Sequence, residues 1–111
     1  MSEASDELAD RIRAFIGHRP GIIEKKMFGG VCFMHYGNML VGAMKPGSLL
    51  ARVGPARHQQ AQSRPGATAM EMGGRQMNGF VEVADEGIQD DDALLDWINY
   101  CEAFVKTLPP K

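Results

Sequence analysis

Hydrophobic positions recur along this chain at two different spacings, and the switches between them divide it into elements. Leu8, Ile12, Phe15 and Ile16 share one face at helical spacing, so residues 5–18 read as an amphipathic helix with Ser5 as its cap and acids in its first turn. Arg19-Pro20-Gly21 ends it. Residues 22–36 then read as one long strand with Gly29-Gly30 at the middle. Glycine weakens a strand interior, so the pair is expected to mark a bend that decides which face its neighbours present. Tyr36-Gly37-Asn38-Met39 is a two-residue hairpin signal with glycine first, as a type II′ turn wants. Residues 39–44 return antiparallel, Lys45-Pro46-Gly47-Ser48 makes a second tight turn, and residues 49–53 form a third strand.

Gly54-Pro55 opens a short polar helix through Gln62, with proline where no backbone donor is needed. Residues 68–72 and 76–83 form a hairpin through Gly73-Gly74, and Asn78-Gly79 interrupts its second arm as a bulge. The last helix has Asp90-Asp91-Asp92 at its start. Leu94, Trp97, Ile98, Cys101, Val105 and Leu108 follow at helical spacing until Pro109-Pro110. The resulting order, α-β-β-β-α-β-β-α, predicts an α+β fold of two layers, with helices packed on one face of an antiparallel sheet. No repeat, linker or low-complexity tract divides the chain, so residues 1–111 read as a single domain.

Composition adds bounds rather than chemistry. The hydrophobic and charged fractions, 44% and 23%, are those of an ordinary globular protein. The acidic start lacks the blocks of a signal peptide, and no apolar run is long enough to cross a bilayer, so no membrane role is expected. Cys32 and Cys101 lie far apart, outside any Cys-x-x-Cys motif, and read as free thiols of a cytoplasmic protein. The net charge of −2 conceals a polarity: ten basic residues between Arg11 and Arg75 face only Glu24 and Glu71, a net +8, while both ends are acidic. The acidic helices are expected to fold back over the basic sheet and cancel this field.

Motifs for catalysis are missing. His18, His35 and His58 have no partner at metal-ligand spacing, so neither a metal nor another cofactor is expected. No Gly-x-Ser-x-Gly elbow is present, and the acids at Asp85-Glu86 and Asp90-Asp91-Asp92 bracket a helix start. Along one continuous strand Lys25 would lie about 20 Å from Cys32, too far to activate its thiol. Both cysteines therefore read as core, and the chain as no enzyme.

Two features point to binding. Lys25, Lys26, Phe28 and Phe33 combine cations with rings as single-strand nucleic-acid binders do. The stretch 28–33 is similar to the aromatic strand of an RNA-recognition motif, but Met27 stands where glycine is expected and the element order differs. The second feature is methionine: seven of the eight fall on expected strands. Met27 and Met34 have opposite parity on a continuous strand, so at least one faces outward, where flexible thioethers suit an adaptable partner surface.

Motifs spread along the chain resemble the N-terminal domain of the TfoX/Sxy family, regulators linked to natural competence in bacteria. They are Lys25-Lys26-Met27-Phe28-Gly29-Gly30, Gly37-Asn38-Met39, Leu50-Ala51-Arg52-Val53, Arg64-Pro65-Gly66-Ala67, Gly74-Arg75-Gln76-Met77 with Gly79-Phe80, and Trp97 with Leu108-Pro109. The resemblance runs from about Ile23 to Lys111 and implies a secretion-chaperone-like fold. It carries no established catalytic residues. The chain is expected to be this domain standing alone, without the C-terminal domain of longer members. The leading expectation is a non-enzymatic regulatory or adaptor domain that uses the open sheet face or an edge strand to bind a protein, including a second copy of itself as a homodimer. A nucleic-acid-binding accessory is the alternative, and a small enzyme of unrecognised type a further one. The expected interface or anion-binding residues are Lys26, Phe28, Gly29, Gly30, Arg52, Arg75 and Met77.

Overall fold

The computed structural model describes residues 3–27, 29–45 and 47–111. It opens with helix α1 (Glu3–Ile16), followed by strands β1 (Ile22–Met27), β2 (Gly30–His35), β3 (Asn38–Met44) and β4 (Ser48–Arg52). A single 3₁₀ turn over Pro55–Arg57 runs into the short helix α2 (His58–Ala61). Strands β5 (Ala67–Met72) and β6 (Arg75–Val83) come next, and a second 3₁₀ turn, Asp85–Gly87, leads to helix α3 (Asp91–Val105). The strands form one antiparallel sheet in the order β1-β2-β3-β4-β6-β5. The α+β class holds, as does the element order, with one added strand at the start of the sheet.

That added strand corrects the reading of residues 22–36. The stretch folds back as a hairpin in which Met27 faces Gly30, Lys26 faces Val31 and Lys25 faces Cys32. Gly29 carries the turn at φ 74°, a conformation that costs glycine nothing. Gly30 serves another purpose: it is buried, and a β-carbon there would run into the carbonyl oxygen of Ala43 on β3. The pair is thus a turn and a close approach, not a bend within one strand. The fold-back also reverses the parity argument, because Met27 and Met34 now lie on the same face and join one cluster. Lys25 and Cys32, expected about 20 Å apart, are cross-strand neighbours.

The next turn shifts by one residue. His35 pairs with Asn38, so the loop is Tyr36-Gly37, with φ of 50° and 87°. Two positive φ values make this type I′-like geometry with glycine second, where a type II′ turn was expected. Tyr36 is the one described non-glycine residue in the left-handed region.

On the helix side, Leu8, Ile12 and Ile16 of α1 and Leu94, Trp97, Ile98, Cys101 and Val105 of α3 pack against Phe33, Leu49, Ala51, Val81 and Val83. Ser5 lies buried inside α1, not at its cap. Asp90 holds the N-cap position of α3 without a side-chain cap bond. Asp91 accepts from Arg11 at 3.2 Å, and the same guanidinium donates to the carbonyls of Ile88 and Gln89, which ties the two long helices together. Arg19 pairs with Glu102 and Arg64 with Asp96, so the acidic tail does fold back onto part of the basic middle.

The opposite face is not an open methionine surface. Cys32, Met34, Met39, Met44, Leu50 and Met70 are buried in a second cluster that contains no helix residue, with Met27, Met77 and Phe80 packed around it. Bulges at Phe33/Met34 and Ala69/Glu71 distort the sheet locally, as bulges do when they sharpen twist. The long thioethers of Met34, Met39, Met44 and Met70 pack together there and are buried. Met34, which parity paired with Met27 as a candidate for the outward position, is buried here with Met39, Met44 and Met70, and Met27 packs against them. No helix among the described residues is long and apolar enough to cross a membrane.

Candidate interaction edge

Strand β1 ends the sheet. It pairs with β2 on one side and with no described strand on the other, so a row of its backbone donors and acceptors faces outward. Its side chains alternate about the sheet plane. Ile23 and Lys25 sit across from Met34 and Cys32 on the methionine side, whereas Glu24 and Lys26 sit across from Phe33 and Val31 on the helix side.

Each side of this edge has a hollow. On the methionine side a cavity of about 300 Å³ is lined by Ile23, Lys25, Met34, Tyr36, Pro110 and Lys111. Ile23 is 60% exposed and Tyr36 47%, the two most exposed large hydrophobic residues described. Tyr36 is held in its left-handed conformation from both ends. Its amide donates to Gly21 at 2.8 Å and its carbonyl accepts from the Lys111 amide at 2.9 Å, while its ring meets His35 edge-on. An exposed ring fixed in an unfavourable conformation is the kind of strain that collects at binding sites. On the helix side a cavity of about 270 Å³ is lined by Arg13, Glu24, Lys25, Lys26 and Val31. Arg13 grips Glu24 with two bonds of 2.6 and 2.7 Å, which holds the Glu24 carboxyl below its ordinary range. Lys25 and Lys26 are exposed and make no ion pair within 4 Å among the described residues.

The expected site residues do not converge. Lys26 and Gly29 are exposed beside the β1–β2 turn, Gly30 is buried against β3, and Phe28 lies outside the described residues. Arg52 is on β4, three strands away and near the other end of the sheet, where it faces Phe80. Three strand spacings and three residues along the strand place it roughly 17 Å from Lys26. At that separation the two cannot share an anion. Arg52 is half-buried between the Phe80 and Phe104 rings, and burial lowers its pKa. Arg75 is exposed on the β5–β6 hairpin and Met77 packs against the second cluster. Phe33, offered as a stacking ring, is fully buried.

Other cations of the basic middle have structural work. Arg57 donates to the Tyr100 carbonyl at 2.6 Å, and its guanidinium lies 3.8 Å from the Tyr100 ring centre; that of Arg64 lies 3.9 Å from the same ring. They fasten the α2 segment to α3. A larger cavity, about 450 Å³, is lined by Ser48, Thr68, Glu82, Asp85 and Glu86, and its Glu82 accepts from the Ser48 hydroxyl at 2.7 Å. Among the described residues no three His, Cys, Asp or Glu side chains cluster as metal ligands would.

Both thiols are insulated. Burial pushes Cys32 up to about 11 and Cys101 to about 12, from an ordinary 9.0. Desolvation wins at Cys32 even with Lys25 directly across the ladder. At pH 8 the Cys32 thiolate is about a hundredfold scarcer than in the unfolded chain, so a disulfide reagent should label both cysteines only as the protein unfolds. The raised pKa values also set a direction. Stability is retained below pH 9 and falls as pH rises toward 11, because the unfolded thiols ionise first. Thermal melts between pH 8 and 10.5 should show a decline that is smaller in Cys101→Ala.

Sequence reasoning missed Ile23 and Tyr36. The signal was present: once 22–36 is folded as a hairpin, Ile23 is an apolar residue on a charged edge, and Tyr36 precedes glycine in a two-residue turn. The family model of the TfoX N-terminal domain matches residues 15–105. Comparisons with curated proteins and with solved structures give no match.

Proposed function

We propose a non-catalytic regulatory adaptor role for this chain, which belongs to the TfoX N-terminal domain family. In this reading it acts by holding another protein against the β1 edge. The observation that carries it is the pairing of an open strand with Ile23 and Tyr36, both exposed over one cavity. Family membership supports the regulatory part, and a competence link is the finer form of that proposal.

The test is a photo-crosslinking amino acid placed at Ile23 and, as a control, at Gln59 on α2, expressed in the native host. A light-dependent adduct with a distinct protein at position 23 but not at 59 is the expected result. An adduct at twice the chain mass would instead make the edge a homodimer contact. No adduct at 23 would sink the edge as a working surface. A nucleic-acid role would draw on Lys25 and Lys26. It loses the Phe33 ring, and oligonucleotide titration at two salt concentrations tests what remains.

A further inference from the structure

We infer that the β1 edge takes, by strand addition, an extended segment of a partner protein that carries two adjacent acidic residues and an apolar residue two positions from them. This rests on the adaptor reading above and names its partner's chemistry.

The hydrogen-bonding row along β1 is open to a seventh strand added beside it. A strand laid there alternates its own side chains, so it reads both flanking hollows at once. The residue across from Ile23 enters the 300 Å³ cavity with Met34 and Tyr36 and must be apolar. The residue across from Lys25 points to the same side and meets an unpaired ammonium group. The residue across from Lys26 points to the helix side, into the 270 Å³ hollow, where Arg13 is already satisfied by Glu24 and Asp10. Both of those positions therefore favour a carboxylate. The residue across from Glu24 must not be acidic. The motif is apolar, neutral, acid, acid if the added strand is parallel to β1, and its reverse if antiparallel.

The edge itself argues against a second copy of this chain. Antiparallel pairing of β1 with its twin about a two-fold axis at Lys25 sets Lys25 against Lys25, and Glu24 is spent on Arg13. Like charges directly opposed destabilise a ladder. The other sheet edge, β5, offers Glu71 as its one acid, short of the two that β1 calls for. An acidic partner segment satisfies all three positions.

The experiment uses the whole chain and two fluorescein-labelled peptides, Thr-Leu-Thr-Glu-Glu-Thr and its reverse, titrated by fluorescence polarisation in 20 mM salt. One of them should bind in the micromolar range. Lys25→Glu with Lys26→Glu should weaken it about tenfold, and so should 200 mM salt. Both lysines are exposed, so these variants fold; Ile23→Asp should reduce binding without touching either charge. N-methylation of one alternate set of peptide amides should abolish binding while the other set is tolerated, the signature of strand addition. Amide shifts on binding should map to residues 22–27. Binding of neither peptide, indifference to the lysine reversals, or shifts that map elsewhere would overturn the inference. If position 23 still captures a partner in the host while neither peptide binds, the acidic chemistry falls and the adaptor edge stands. If position 23 captures nothing, the edge reading falls with it.

Discussion

Gly30→Ala should remove about 3 kcal/mol of folding stability or more, whereas Gly29→Ala, its neighbour, should cost about 1–2 kcal/mol. The two glycines are alike in sequence and unlike in cause. At Gly29 a β-carbon would meet nothing within 4 Å, so the penalty is only that of an L-residue held at φ 74°. At Gly30 the β-carbon would collide with the Ala43 carbonyl, and that oxygen cannot retreat without opening the β2–β3 ladder, where Val31 pairs with Ala43. A backbone obstacle does not relax as a side chain would. Against a typical total of about 5–15 kcal/mol, the Gly30 variant should be marginal. Urea midpoints for the two variants check this, with unchanged slopes required for the comparison. Equal losses, or a larger loss at Gly29, would mean the pair does not divide its roles in this way.

This division explains how far the residues could be read in advance. The long helices announced themselves, because Leu94, Trp97, Ile98, Cys101 and Val105 repeat at 3.6 and nothing competes with that pattern. The antiparallel sheet followed from the tight turns. The β1–β2 hairpin did not, because Phe28-Gly29 lacks the asparagine or aspartate that usually precedes glycine in a two-residue turn. Without that marker, alternation simply ran on through the glycines. One missed turn then inverted every inference about faces. Lys25 moved from distant to adjacent beside Cys32, and Met27 joined Met34 instead of opposing it. The expected cations do not converge, for a related reason. Lys26, Arg52 and Arg75 recur in the family motifs, but recurrence along a chain says nothing of sheet order, and the order places them on β1, β4 and β6. The edge with Ile23 and Tyr36 was visible only after β1 had been separated from β2. The fold class was legible because it depends on counting elements; which residues lie near one another was not, because that depends on register.

The methionine layer gives the second large effect. Met34→Ala and Met39→Ala should each cost about 2–5 kcal/mol, the range for truncating a buried methionine, while Met72→Ala on exposed β5 should fall within about 0.5 kcal/mol. Met34 and Met39 face each other directly across β2 and β3, so the double variant should depart from additivity. Met34→Leu keeps the volume and should cost under about 1.5 kcal/mol. These values separate two uses of the same residues. Methionines kept for a partner would be cheap to truncate in the free chain and costly only to binding. Methionines that pack into a buried layer would be costly at once, with or without a partner. The burial of Met34, Met39, Met44 and Met70 in a cluster with no helix residue among those described requires the second pattern. It also restricts where a partner can sit. With that face closed by its own side chains, the proposed partner is left the rim, where Ile23, Tyr36, Lys25 and Lys26 are exposed.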